Sequence, residues 1–232
     1  MRFAPEAWPF VVPFAALGVV LLALLEPGWA LAAFAAGLLV LLFFRDPRRR
    51  FGGAAPAVLS AADGLVTAVD RVESPDVGPG GFHRIVTFLS VFDVHVQKTP
   101  VAGRVIASRY TRGRKVAAFR RDAGEVNEQH LTVIETPDGR RVAVRQIAGL
   151  LARRVVCSLR EGQEVARAQP MGLIKFGSRV DVLLPEDAYR VAVAKGERVK
   201  NGLTVIALPA ESAAGVGSAA GEGAIGTEEA VR

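Results

Sequence analysis

The stretch Phe88-Leu-Ser-Val-Phe-Asp93-Val-His95-Val-Gln97 brings together side chains that could do acid–base chemistry. If this stretch is extended, Asp93, His95 and Gln97 lie on one face and the apolar residues between them lie on the other. Histidine titrates near neutral pH and a carboxylate can orient its ring, so Asp93 and His95 fit an acid–base pair. An exposed polar strand edge would give the same pattern, and both interpretations stay open at this point.

A Gly-Ser pair interrupts a second strand-like stretch, Met171 to Pro185. Apolar runs flank Gly177-Ser178, and glycine inside a strand marks a bulge, a tight bend or a close approach of chemistry. Asp63 is a further candidate, although Asp63 followed by glycine is also an ordinary turn. From the residues alone, Gly177-Ser178 is either a structural bulge or a reactive site.

A metal site is an alternative use of the same side chains. Asp63, His83, His95 and His130 could be gathered by folding into the ligand set of a zinc hydrolase, but no two of them have a recognised spacing such as His-Glu-x-x-His. Cys157 is the only cysteine, which excludes an intrachain disulfide and a cysteine-based zinc site. Its strand-like surroundings predict a buried, unreactive thiol.

The elements that must position these side chains are mostly strands. Short runs rich in β-branched residues recur between residues 65 and 208, separated by turn signals such as Pro79-Gly80-Gly81 and Asp138-Gly139. This pattern predicts a mostly β barrel or sandwich. Faint repeats, 62–66 with 102–105 and 160–165 with 195–202, resemble the barrel-sandwich architecture of lipoyl domains. No lysine stands in the setting that such carrier domains use, so the likeness is limited to architecture.

The N-terminal part predicts a membrane anchor. Residues 8–25 and 28–44 carry no charge, and each run is close to the roughly 20 residues that a helix needs to cross a bilayer. Positive charge at Arg2 and in 45–50 flanks the pair, which places both ends on the cytoplasmic side of a cell (inner) membrane. A shallow interfacial anchor is the alternative, because Pro9 and Pro13 interrupt the first run.

The chain therefore divides into an anchor at 1–50, a β-rich domain at 51–209 and a tail at 210–232. The tail is mostly Ala, Gly, Ser and Glu, a composition that predicts disorder. The net charge is +6, and basic residues cluster in 45–50 and 110–115. Beside an anchor, such clusters favour an anionic membrane surface as partner, and the chain has no nucleic-acid-binding motif.

Three stretches, in order, resemble the phosphatidylserine decarboxylase family, and its shorter membrane-associated bacterial and archaeal branch in particular. They are Ala61-Ala-Asp63-Gly64, then Phe88 to His95 followed by Thr99-Pro-Val-Ala-Gly-Arg-Val105, and Gly172-Leu-Ile-Lys-Phe-Gly177-Ser178-Arg-Val-Asp-Val182. Their order and spacing match across residues 57–208, which is most of the β-rich domain.

The resemblance implies a proenzyme that cuts itself between Gly177 and Ser178. Ser178 would become a pyruvoyl group, which is the covalent cofactor of this family and forms a Schiff base with the substrate. Phosphatidylserine in the bilayer would be converted to phosphatidylethanolamine and carbon dioxide. The two chains produced, 1–177 and 178–232, would stay associated, and no metal is implied.

The resemblance also assigns roles to individual residues. Asp63 matches the family aspartate that supports self-cleavage. His95 matches the first histidine of an Asp-x-His-x-x-His pattern and is associated with protonation during decarboxylation. Lys98 stands where larger members have the second histidine, their cleavage base, so either His95 or Asp63 would have to act as that base. His130 is a spare candidate that the motif does not support.

Arg179 also departs from the Gly-Ser-Thr of the larger branch, and it would contact the substrate headgroup or face solvent. Two alternatives to the main interpretation remain. A related serine ether phospholipid would undergo the same reaction, because the linkage to the acyl or alkyl chains lies far from the chemistry. A membrane-anchored, lipoyl-like adaptor without catalysis would use Gly177-Ser178 only as a bulge.

Overall fold

The computed structural model describes residues 1–53, 56–118, 120, 122–150, 154–175 and 178–210. The helices are α1 (Trp8–Leu24), preceded by a 3-10 turn at Pro5–Ala7, α2 (Pro27–Phe43) and α3 (Ala123–Val126). The strands, in chain order, are β1 (Arg2–Phe3), β2 (Arg45–Asp46), β3 (Val58–Leu59), β4 (Gly64–Glu73), β5 (Gly81–Leu89), β6 (Val96–Lys98), β7 (Gly103–Thr111), β8 (Gln129–Glu135), β9 (Arg141–Ile147), β10 (Val155–Cys157), β11 (Glu164–Val165), β12 (Pro170–Ile174), β13 (Ser178–Pro185), β14 (Tyr189–Val191), β15 (Arg198–Val199) and β16 (Val205–Pro209). A mostly β body after an apolar helical pair confirms the predicted fold class.

The helical pair is antiparallel and closely packed. The apolar helix at Pro5–Leu24 is 20 residues long and meets the length and composition of a membrane span, whereas α2 is shorter at 17 residues. Gly18 lies against Phe34, where a Cβ would sit 2.6 Å from the aromatic ring. Small residues of this kind allow two apolar helices to approach closely inside a membrane. The first helix continues through Pro13, so this proline does not break the apolar run.

The body is built on an antiparallel sheet with the strand order β11-β7-β8-β9-β13-β5-β4-β15. Two three-stranded sheets, β10-β12-β6 and β14-β16-β3, complete the body. Along β13 the side chains alternate: Val180 and Val182 enter the main core, whereas Leu183 packs in a separate cluster on the outer face. Ser178 shares the inner face with these valines because strand side chains alternate between faces.

The large sheet repeats one arrangement near its two edges, at β4 and at β7. Gly64 opens β4 and Gly103 opens β7, with φ angles of 152° and 153°. A Cβ at either glycine would lie 2.1 Å from a backbone carbonyl oxygen of the neighbouring strand. Each of these strands has a register shift just after the glycine and a short strand, β15 or β11, on its other side. The faint sequence repeat is therefore a structural repeat, of which only one copy carries an aspartate, Asp63, before the glycine.

Candidate active site

Asp63 lies just before β4 and is buried. Arg49 donates to both of its carboxylate oxygens, with Nη2 2.8 Å from Oδ2. The backbone N–H of Asn201 also donates to Oδ1 at 2.8 Å. A bidentate arginine and a backbone donor fix both the charge and the orientation of this carboxylate.

Asn201 joins Asp63 to the histidine segment. Its Oδ1 accepts a hydrogen bond from Arg49 Nη1 at 2.7 Å, and its Nδ2 donates to the carbonyl of Val96 at 2.6 Å. The side chain is fully buried, so all of these bonds are made away from water. Through Asn201, Asp63 is held against the residue that directly follows His95.

His95 is buried at the junction between the apolar helical pair and the body. Its Nδ1 lies 2.9 Å from the carbonyl oxygen of Asp93, and because a carbonyl can only accept, Nδ1 carries the proton. Nε2 is then the acceptor nitrogen, and it has no hydrogen-bond partner among the described residues. The ring centroid lies 4.1 Å from that of Phe43, the last residue of α2, with an angle of 34° between the ring planes. Burial lowers the pKa of His95 to about 4, so the imidazole is neutral at neutral pH.

The pairing of the Asp93 carboxylate with His95, predicted from an extended segment, is wrong. β5 ends at Leu89 and β6 begins at Val96, and the turn between them breaks the alternation of faces. The Asp93 carboxylate instead accepts from the backbone N–H and the hydroxyl of Ser90, at 2.8 and 2.7 Å, and from Arg198 at 2.6 Å. His95 is therefore oriented by the main chain of Asp93 rather than by its carboxylate.

Ser178 begins β13, where it pairs with Leu89, and it is fully buried. Its hydroxyl has no hydrogen-bond partner among the described residues. The backbone N–H of Ile174, at the end of β12, lies 3.4 Å from the carbonyl oxygen of His95, so the chain that leads to Ser178 runs past the histidine. Gly177, the predicted cleavage partner, lies outside the described residues.

Two glutamines that the sequence analysis did not single out as reactive lie beside these groups. Gln97 donates to the carbonyl of His95 at 2.8 Å, and Gln146 donates to Gln97 Oε1 at 2.9 Å. Gln146 pairs across the sheet with Val180, two residues after Ser178 on the same face. Gln146 follows Val142 and Val144 at two-residue spacing, so the sequence places a polar residue on the core face of this strand. A polar residue at a core position is a signal that could have identified Gln146.

Three buried polar atoms in this region lack a partner among the described residues: Ser178 Oγ, His95 Nε2 and Gln146 Oε1. Most buried polar atoms in folded proteins are hydrogen-bonded, so each such atom needs an explanation. Two of the three belong to residues singled out from the sequence, His95 and Ser178.

Lys98 has a structural contact at the position of the missing second histidine. It is buried, and its Nζ lies 3.3 Å from Asp46 Oδ1 and 3.4 Å from the carbonyl of Pro47. The first of these is an ion pair without hydrogen-bond geometry, because Asp46 Oδ1 lacks a hydrogen-bond partner. Lys98 thus holds the segment that follows α2 against β6.

The remaining candidates lie elsewhere. His130 Nε2 is 2.9 Å from Ser108 Oγ, and burial lowers the pKa of this histidine. Arg179 pairs with Asp181 through bonds of 2.6 and 2.7 Å and is buried, so the expectation that it faces solvent is wrong. Its contact with the substrate headgroup stays a prediction. Alternation along β13 turns Arg179 away from the face that carries Ser178.

The metal-site alternative finds no ligand cluster in the described part of the chain, where no three His, Cys, Asp or Glu side chains are placed to hold an ion. His83 pairs with Leu184 near the opposite end of β13 from Ser178. Cys157 is half-buried, and burial raises the pKa of its thiol, which agrees with an unreactive cysteine.

Comparison with known proteins identifies the family. The sequence profile of the phosphatidylserine decarboxylase family matches residues 36–207. A phosphatidylserine decarboxylase proenzyme of Symbiobacterium thermophilum is 45% identical over 205 residues, which cover 88% of this chain and 94% of that protein. Proteins with the same name from Erythrobacter litoralis and Aromatoleum aromaticum are 41% and 39% identical, covering 90% and 88% of this chain and 88% and 94% of their own lengths. The chain therefore belongs to the phosphatidylserine decarboxylase family of enzymes.

Proposed function

We propose that this chain is a self-processing enzyme that decarboxylates phosphatidylserine to phosphatidylethanolamine, with a pyruvoyl group made from Ser178. The observation that carries the proposal is the Ser178 hydroxyl, which is buried at the Gly-Ser position of the family without a partner among the described residues. An ordinary structural serine at such a depth would donate a hydrogen bond. A serine whose hydroxyl is consumed during maturation has no need of one.

Self-processing begins when the Ser178 hydroxyl attacks the carbonyl carbon of Gly177 and a base accepts its proton. The amide nitrogen of Ser178 takes a proton as the C–N bond breaks, which leaves an ester between Gly177 and the Ser178 side chain. Loss of the Cα proton of Ser178 then expels the Gly177 carboxylate. Water replaces the freed nitrogen, which leaves as ammonia, so the step needs no oxidant or reductant.

The chain offers His95 for the proton transfers. With its proton on Nδ1 and a pKa of about 4, the imidazole presents the unprotonated Nε2 at neutral pH. A neutral imidazole accepts a proton and can return it to another atom. The charge of Asp63, held by Arg49 and Asn201, stabilises positive charge that develops on His95 during the transfer. Gln146 Oε1 can accept a hydrogen bond from an N–H or O–H of a reacting group.

When formed, the pyruvoyl group supplies an electrophilic carbonyl for the substrate amine and an electron sink for the loss of carbon dioxide. The burial of Ser178 and His95 excludes bulk water from the site, which favours return of a proton from a protein group rather than from solvent. The apolar helical pair fits a substrate that resides in a bilayer, and we place the β-rich domain on the cytoplasmic side of the membrane.

Intact-mass spectrometry in detergent tests the proposal. The wild type should give two chains that meet between residues 177 and 178, the smaller one lighter than an unmodified 178–232 fragment by the difference between serine and pyruvoyl. Ser178→Ala should remain one chain of 24.6 kDa. Ser158→Ala is the matched control and should process normally, because the Ser158 hydroxyl bonds only the backbone of Met171 in the described structure.

The activity is then measured as carbon dioxide release from phosphatidylserine by the processed protein. A folded wild type that stays whole would support the non-catalytic adaptor instead. A processed protein that releases no carbon dioxide from phosphatidylserine would support self-processing but contradict phosphatidylserine as the substrate.

A further inference from the structure

The end of the large sheet that carries Ser178 has an unusual surface. Three cross-strand pairs define this end: Leu89 with Ser178, Ile147 with Arg179, and Gln129 with Ile147. The segments that follow Leu89 and Ile147 therefore emerge at the end of the sheet where β13 begins.

Exposed apolar side chains gather at this end. Among described residues beyond the helical pair, the large hydrophobic side chains that are exposed are Leu65, Val91, Phe92, Tyr110 and Leu150. All five lie at the Ser178 end of the sheet. Leu65 pairs with Phe88 and Tyr110 pairs with His130, both near this end. The other three follow the strand ends Leu89 and Ile147. Phe92 is 83% exposed and Leu150 is 67% exposed, values that are unusual for such residues in contact with water.

Charge is also distributed unequally between the two ends. β7 ends at Thr111, and the residues just beyond it include the exposed cations Arg112, Arg114 and Lys115. The turns at the opposite end instead expose Asp76, Asp138 and Asp187. A basic end opposite acidic turns is the polarity expected of a domain that rests on an anionic surface.

The helical pair meets the body beside the same turn. Arg45, two residues after α2, donates to the carbonyl of Phe92 at 2.5 Å and to the carbonyl of Leu42 at 2.9 Å. Lys175, three residues before Ser178, lies with its Nζ 4.6 Å from the ring of Phe10 in α1. The exposed turn at Val91 and Phe92 is thus continuous with the base of the anchor.

We propose that the Ser178 end of the sheet rests on the bilayer, with Val91 and Phe92 inserted among the lipids as a second contact besides the anchor. The proposal rests on the proposed function, since it needs the helical pair to enter a membrane. Aromatic side chains favour the membrane interface, and flanking arginine and lysine bind anionic head groups. The end of β13 that begins with Ser178 then lies toward the surface that holds its substrate.

A fluorescent probe tests the contact directly. In a Cys157→Ser background, Phe92→Cys and the control Asp76→Cys are labelled with an environment-sensitive dye and reconstituted into vesicles of phosphatidylcholine and phosphatidylglycerol. Asp76 is exposed in the turn between β4 and β5 at the opposite end of the sheet. We expect a blue shift at position 92, with quenching by nitroxides on the lipid chains, and neither effect at position 76.

Flotation of the same vesicles separates the possible failures. Protein that floats with the vesicles while the two probes respond alike overturns the second contact and leaves the anchor in place. Protein that does not float overturns the anchor and the contact together. A second variant, Phe92→Asp, should process itself normally yet lose at least several-fold activity on phosphatidylserine in vesicles, with little loss in detergent micelles. Equal activity of Phe92→Asp and wild type on vesicles would contradict the proposal.

Discussion

Arg49 binds both carboxylate oxygens of Asp63, so the segment that follows the second apolar helix forms part of the candidate site. The same segment supplies Asp46 to Lys98, and the helix before it supplies the Phe43 ring that covers His95. The N-terminal region therefore contributes contacts to the candidate site. Deleting it would remove the partners of Asp63, Lys98 and His95 at once, so a truncated body is not an equivalent of the enzyme.

Replacement of Arg49 should slow self-processing without releasing the protein from the membrane. Arg49→Met leaves the Asp63 carboxylate buried with the Asn201 amide as its remaining described donor. Loss of a charge-assisted hydrogen bond costs about 2 kcal/mol, so we expect a decrease of at least about tenfold in the rate at which the two chains appear. Arg50→Met is the matched control, since Arg50 is exposed. Equal rates for the two variants, measured by pulse labelling and gel electrophoresis, would remove Arg49 from the site.

Much of the fold was predictable because its causes are local. The two charge-free runs on either side of Glu26-Pro27 form α1, which ends at Leu24, and α2, which begins at Pro27. The Asp138-Gly139 turn connects β8 and β9 as a hairpin. The repeated glycine-centred turns have the same backbone conformation at Gly64 and Gly103, near the two edges of the large sheet. The short strands β3, β6, β11 and β15 are only two or three residues long and leave no local pattern, because pairing with distant strands rather than their own composition defines them.

The candidate site was predictable only where a motif marked it. Asp63, His95 and Ser178 were found through ordered stretches, but the sequence did not show what each would contact. Arg49 lies 152 residues from Asn201 in the chain, and a contact at that separation leaves no local pattern. The predicted pairing of Asp93 with His95 was wrong because alternation of faces holds only while a segment stays extended, and here β5 stops at Leu89.

The low pKa of His95 predicts a specific dependence of stability on pH. Between its ordinary value near 6.5 and its folded value of about 4, the unfolded chain binds a proton that the folded chain does not. The contribution of His95 to the free energy of unfolding is therefore fully present above pH 6.5. It is lost as the pH falls toward 4, by roughly 3 kcal/mol in total. Thermal unfolding in detergent between pH 7 and pH 4.5 should thus show a shallower decline for His95→Gln than for wild type. Parallel curves would show that His95 titrates normally.

Gln146 should matter for chemistry more than for folding. Gln146→Leu removes the unsatisfied Oε1 but also the donor to Gln97 Oε1, so stability should fall by about 1–3 kcal/mol while the protein stays folded. If Oε1 accepts a hydrogen bond from a reacting group, the same variant should lose about tenfold or more in decarboxylation. Thr132→Val, a buried polar-to-apolar change on the neighbouring strand β8, is the control and should retain activity. Full activity of Gln146→Leu would assign the glutamine to packing alone.

Lys98 and Asp46 should behave as a structural pair rather than as a source of the cleavage base. Lys98→Met leaves Asp46 without the ammonium 3.3 Å away, and breaking a buried pair from one side typically costs about 3–5 kcal/mol. Lys98→Met combined with Asp46→Leu removes both charges and should recover much of that loss, because no buried charge then remains unpaired. Unfolding in detergent measures the stabilities, and intact mass measures processing. We expect the double variant to process itself at a rate close to wild type. A stable double variant that remains a single chain would show instead that the Lys98 ammonium takes part in self-cleavage.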